Sequence, residues 1–170
     1  MQTMEREQQL RVRSFEQLYR EEYRGVVAFS LALLGNRQAA EDIAQEAFIE
    51  THQHWGRIQN YDNPGAWVRR VASNKAASVR RRVGAELRAL TKFVGGLSQS
   101  AEMAPYDHEF WDQVRKLPTK QAQAISLFYL EDRPVAELAE ILGCTESTAK
   151  VHLHRGRAAL AKALKLEEVA

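Results

Sequence analysis

PVAELAEILGCTESTAKVHLHRGRAALAKAL, residues 134–164, reads as helix, tight turn, helix. Pro134 suits a first helical turn, where a missing N–H leaves nothing unsatisfied, and Val135, Leu138, Ile141 and Leu142 form one apolar face behind it. Gly143 supplies a left-handed residue to stop that helix, and the Thr145 hydroxyl can cap the next. In the second helix Ala149, Leu153, Gly156, Leu160 and Leu164 recur at steps of four and three and so face inward. The other side presents Ser147, Lys150, Val151, His154, Arg155 and Arg157, a polar and basic surface. That is the layout of a helix-turn-helix whose second helix enters a major groove. Lys150 and Arg155 can each donate to a guanine edge or to a phosphate, and the residue types alone do not choose between these.

Apolar residues keep a helical period outward from this motif, and runs of β-branched residues are absent, so the chain is expected to be all-α. The expected helices before it cover 110–116 and 119–129, and the one after the turn runs to about 166. In the N-terminal half, Leu18, Tyr19, Val26, Phe29 and Leu33 mark a first amphipathic segment stopped by Gly35-Asn36. A second helix starts near Arg37 and extends to Trp55, with Gly56 as its end. Its outer face carries Glu41, Asp42, Gln45, Glu46 and Glu50. The segment IQNYDNPG, 58–65, is dense in turn formers and is read as a loop. A third helix begins near Ala66 and runs through Trp67 into an arginine cluster, with a flexible linker expected over 84–108. This gives a lead-in at 1–14, one helical domain at 15–83 and a second at 109–166.

With 45% hydrophobic and 27% charged residues over 170 positions, the composition is that of a water-soluble globular protein with small cores. No stretch nears the roughly 20 apolar residues of a membrane span, and residues 1–15 lack an apolar signal segment, so no membrane insertion and a cytoplasmic location are expected. A single cysteine, Cys144, excludes an internal disulfide. The net charge of +2 says little, but its distribution is uneven. Between Arg69 and Lys92 there are eight basic residues against the single acid Glu86, which points to a polyanion. His52/His54 and His152/His154 lie two apart, about 200° around a helix, so neither pair can clasp one ion. No metal, cofactor or catalytic residue is expected.

The order of these motifs resembles the extracytoplasmic-function sigma factors of bacterial RNA polymerase. DIAQEAFIETHQHW (42–55) is similar to the family's polymerase-binding helix, and PGAWVRRVASNKAASVRRR (64–82) to the segment that reads and melts the −10 element. LPTKQAQAISLFYLED (117–132) with the helix-turn-helix resembles the domain that reads the −35 element. The resemblance implies two helical domains, region 2 and region 4, on a flexible tether, spanning about residues 15–164.

It further implies that Asp42, Gln45, Glu46 and Phe48 grip the β′ clamp coiled coil of core RNA polymerase. Asn60, Tyr61, Asp62 and Asn63 would capture a flipped base of the melted non-template strand, flanked by Trp67, Arg70, Asn74, Arg80 and Arg81. Ser147, Lys150, Val151, His154 and Arg155 would read duplex promoter DNA. The β flap and an anti-sigma factor are the other implied partners. Val151 stands where the family commonly has a small hydroxyl residue, and Gly156 where alanine is usual. Three rival readings of the residues are a stand-alone helix-turn-helix regulator, a metalloenzyme and a helical interaction adaptor. The regulator accounts for 134–164 but not for an acidic helix followed by a turn-rich loop, a tryptophan and arginines.

Overall fold

In a computed structural model, residues 14–90 and 108–165 are described. Every regular element among them is helical: α1 Phe15–Leu34, α2 Arg37–Gln53, α3 Trp55–Ile58, α4 Pro64–Leu90, α5 His108–Lys116, α6 Thr119–Glu131, α7 Val135–Leu142 and α8 Glu146–Ala163. Local chemistry sets their ends. Ser14 and Gln17 form a reciprocal capping box at the start of α1, and Gly35 closes it at φ 68°. The Asn36 side chain accepts from the Ala39 amide at 2.9 Å to start α2. Gly143 (φ 67°) and Thr145 make the turn between α7 and α8 as the sequence predicts.

Several boundaries move. α2 stops at Gln53 because His54 leaves the helical region (φ −108°, ψ 14°), and the separate turn α3 then drives Ile58 to complete burial. α4 starts at Pro64 rather than Ala66: Asn63 Oδ1 accepts from the Ala66 amide at 3.0 Å, and Pro64 has no N–H to satisfy. Pro134 is the N-cap of α7, one position before the first helical residue.

The expected linker loses its beginning to α4. That helix continues to Leu90, since the Arg, Ala, Glu and Leu residues of 80–90 are strong helix formers and outweigh one glycine at 84. Residues 91–107, residues 166–170 and all of the expected lead-in 1–14 except Ser14, which caps α1, lie outside the described residues.

α1, α2 and α4 form a front bundle over Leu18, Val26, Ile43, Ala44, Ala47, Phe48, Val68 and Ala72. α5 to α8 form the back module, which contains the helix-turn-helix. The two do not stand apart. Phe29, Ala32 and Leu33 of α1 and Ala66 and Ala76 of α4 join one continuous apolar cluster with Trp111, Val114, Ile125, Leu127, Leu138 and Ile141 of the back module. Side chains such as Phe29 and Ile125, both at 0% exposure, each contribute about 1.5–3 kcal/mol by leaving water.

Candidate nucleic-acid interface

α4 has three faces, each separated by the helix's roughly 100° per residue. Val68, Ala72 and Val79 turn into the front core. Trp67, Arg70, Asn74, Ser78 and Arg81 recur at steps of three and four along a second, largely open face. Arg69, Ser73, Ala76 and Arg80, shifted by one position, look into the back module.

The open face borders the 59–63 turn. Tyr61 is 38% exposed and meets Trp67 edge-to-face at 5.8 Å, while the Arg57 guanidinium sits 5.7 Å over the indole. Trp67 is half-buried, and its indole N–H is covered and has no acceptor among the described residues. The ring lines a cleft with Arg70, Val71, Asn74, Lys75, Ser78 and Glu50. Of the turn residues, Asn60, Tyr61 and Asp62 are exposed. Asn63 is half-buried, and its side chain is engaged in capping α4. An aromatic wall, amide groups and cations in one cleft suit an unstacked base and its phosphate.

Arg80 and Arg81, neighbours in the sequence, part company. Arg81 stays exposed and donates to Ser78 Oγ at 3.1 Å. Arg80 turns under the back module and donates to the Arg115 and Leu117 carbonyls at 2.9 and 2.8 Å, at the end of α5. Burial pushes its guanidinium pKa below the usual value. Arg80 is therefore in the contact between modules and not beside Arg70 and Asn74.

On α2, Asp42, Gln45 and Glu46 share an exposed face. Asp42 accepts from the Gln38 amide at 3.0 Å, and Lys75 lies 3.7 Å from Glu46 and 3.3 Å from Glu50. Phe48 does not belong to that face. At 3% exposure it is a core residue, packed edge-on to Phe15 and Tyr19. Beside it Tyr19 and Ile49, 40% and 58% exposed, form the rim of an apolar groove. The Tyr23 phenol beneath is pushed up in pKa by burial, then by Tyr19 and Glu41, against a hydrogen bond with Gln45 that pulls it down.

On α8, Ser147, Lys150, Val151, His154 and Arg155 lie together on the solvent side, while Ala149, Leu153, Gly156 and Leu160 are buried. Arg157 leaves that surface: it lies 4.5 Å over the Phe128 ring and donates to the Tyr129 hydroxyl at 2.9 Å. Gly156 is forced by a close approach, since a Cβ there would stand 2.8 Å from Ile125 Cγ1. Among the described residues no group of three potential metal ligands gathers, and no helix is long and apolar enough to cross a membrane.

Sequence reading missed Glu22, Glu131 and Arg133, and it counted Arg69 in the basic run facing a polyanion, whereas that side chain is buried between carboxylates. Arg69, 3% exposed, pairs with Glu22 at 2.5 Å and Glu131 at 2.6 Å. Arg133 pairs with Glu131 at 2.8 Å and Glu137 at 2.7 Å. Burial alone would lower the Arg133 pKa, but the hydrogen bonds and charges of Glu137 and Glu131 leave it raised. The faint signal in the sequence is Gly25, a glycine in the middle of a 20-residue amphipathic helix.

Comparison with known proteins finds the Sigma-70 region 2 family model over residues 18–86 and the Sigma-70 region 4 model over 107–160. The ECF RNA polymerase sigma factor SigW of Bacillus subtilis is 30% identical over 148 residues, covering 78% of this chain and 79% of that protein. SigM of the same organism is 27% identical, covering 85% and 91%. Among solved structures, the sigma factor RpoE of Bartonella quintana, in complex with the anti-sigma factor NepR, superposes with a TM-score of 0.73 at 24% identity, covering 89% of this chain and 96% of that one.

Proposed function

The chain belongs to the extracytoplasmic-function RNA polymerase sigma factors, a family of DNA-binding regulators of transcription initiation, and from that membership we propose how its surfaces divide the work. The exposed face of α2, with Asp42, Gln45 and Glu46, docks on the β′ coiled coil of core RNA polymerase in the cytoplasm, while the back module meets the β flap. α8 enters the major groove of the −35 element with Ser147, Lys150, Val151, His154 and Arg155. The 60–63 turn and the stripe from Trp67 to Arg81 take the melted non-template strand of the −10 element.

The observation that carries this reading is that stripe. It sets an aromatic wall, an amide and two cations, Arg70 and Arg81, along one side of α4, next to a turn with an exposed tyrosine. Aromatic stacking contributes about 1–3 kcal/mol per base, which matches the few kcal/mol needed to unstack and flip one. The arginines hold phosphates beside the opened strand, so promoter opening is steeply salt-dependent. The protein supplies binding free energy, and the polymerase supplies the chemistry.

Run-off transcription with purified core enzyme on a promoter library tests the proposal. Specific initiation is expected, and Asp42→Lys with Glu46→Lys should abolish association with core enzyme while leaving the fold intact. Tight binding of bare duplex operators without any initiation would instead indicate a stand-alone helix-turn-helix regulator.

A further inference from the structure

The contact between the modules is too specific to be incidental packing. Arg69 is buried between Glu22 of α1 and Glu131 at the end of α6, and it also reaches the Gly65 carbonyl at 3.3 Å. Arg133 extends the chain of charges from Glu131 to Glu137, with Glu22 3.8 Å away. Two glycines make the room. A Cβ on Gly25 would fall 2.7 Å from Arg69 Nη2, and one on Gly65 would fall 2.7 Å from Glu22 Oε1. Glycine is disfavoured inside a helix, so Gly25 weakens α1 in order to admit a guanidinium that serves the contact. Further along, Gln123, 1% exposed, donates to the Ser73 carbonyl at 3.0 Å, and Arg80 holds the end of α5.

This arrangement conflicts with simultaneous reading of two promoter elements. The Arg70 guanidinium, on the open stripe of α4, lies against Gly143 in the turn of the helix-turn-helix, 3.1 Å from where a Cβ would be. The two readers therefore touch, within a body roughly 40 Å across for a compact chain of this length. Elements centred at −35 and −10 are 25 base pairs apart, roughly 85 Å at about 3.4 Å per pair.

Resting on the sigma-factor reading above, we propose that Glu22, Arg69, Glu131 and Arg133 form a latch that keeps the free chain closed. Engagement with polymerase and promoter breaks it, separating the modules. Buried charge networks of this type specify one arrangement more than they stabilise it, because each ion gave up its hydration to enter. Such a contact holds firmly while every partner is present and releases as a unit when one leaves. The apolar cluster around Trp111 and Phe29 supplies the attraction, and the charges fix the register.

The test is a distance measurement between labels at His54→Cys and Lys162→Cys, in the full chain with Cys144→Ser. The free protein should show one short distance. Glu131→Gln, which leaves the Arg69 cation short of a partner, should raise the separated population about tenfold or more. Gly25→Ala should do the same while raising the helical stability of α1, so a folding defect cannot be mistaken for opening. Adding core polymerase and promoter should move the unsubstituted latch to the long distance. A free chain already long and broad, variants with an unchanged closed fraction, or a short distance persisting in an initiating complex would each overturn the latch. Failure of run-off transcription would count against the sigma-factor reading, whereas the free-chain distances of the variants decide the latch whatever the transcription result.

Discussion

Replacing Arg80 and Arg81 one at a time by alanine should give opposite phenotypes from adjacent positions. Arg80 Nη2 donates to two carbonyls, Arg115 at 2.9 Å and Leu117 at 2.8 Å, inside the contact between modules. Hydrogen bonds from a charged donor contribute about 1.5–3 kcal/mol each, and carbonyls left covered and unsatisfied add to the loss. Because the guanidinium is only partly buried and water can reach the vacated space, about 2–3 kcal/mol is expected for the Arg80→Ala protein. At about 2–4 °C per kcal/mol for a chain of this size, the melting temperature falls by about 4–12 °C. Its salt dependence on a forked promoter with holoenzyme should not change, since Arg80 points about 100° away from the open stripe.

Arg81 is exposed and bonds only within its own helix, so Arg81→Ala should alter stability by less than about 0.5 kcal/mol. It removes one cation from the nucleic-acid face, and the slope of log affinity against log salt should fall by about 0.7–0.9. Thermal scans and binding titrations across salt concentrations measure both. A normal melting temperature for Arg80→Ala together with a reduced salt slope would refute the division of α4 into these faces.

Three further outcomes follow from other sites. Trp67→Ala should reduce open-complex formation by the loss of a stacking partner worth about 1–3 kcal/mol, with Trp67→Phe recovering most of it; equal defects in both variants would argue against stacking. Gly156→Ala gains about 1 kcal/mol of helix propensity but forces a Cβ within 2.8 Å of Ile125 Cγ1, on a stiff β-branched side chain, so a net loss of about 1–2 kcal/mol is expected, relieved in a double-mutant cycle by Ile125→Ala, which removes that carbon. His152 has its pKa lowered from the ordinary 6.5 by burial, then by Lys120 and Arg155. The unfolded chain therefore binds its proton first, so stability is greatest above pH 6.5 and declines as pH falls from there to the lower folded value. His152→Gln should flatten that decline in pH-dependent melting.

The all-α class and the helix-turn-helix were legible because their signals are local. The order Pro134, Gly143, Thr145 fixes caps, and the 149–160 stripe fixes an inward face, with no knowledge of any distant residue. Asp42, Gln45 and Glu46 were legible for the same reason, as the polar side of an amphipathic helix. Phe48 falls by the same helical period on the apolar side with Ala40, Ile43, Ala44 and Ala47, and only the family resemblance placed it with the polar face; three aromatics, Phe15, Tyr19 and Tyr23, close around it. The split between Arg80 and Arg81 depends on a partner 35 residues away in sequence, which no arginine-rich run can announce. Arg69 likewise pairs with Glu131, 62 residues on, so its burial follows only from the way the modules dock.

The three-faced design of α4 sets strict limits on its length. One residue inserted between Val68 and Ser78 would rotate everything downstream by about 100°, delivering Val79 beneath α5 in place of Arg80 and turning Arg80 toward open solvent. A point substitution can be repaired locally, but a frame error of this kind scrambles core, docking and nucleic-acid contacts together. Among descendants of this gene, insertions and deletions should therefore be purged from that helix far more stringently than substitutions.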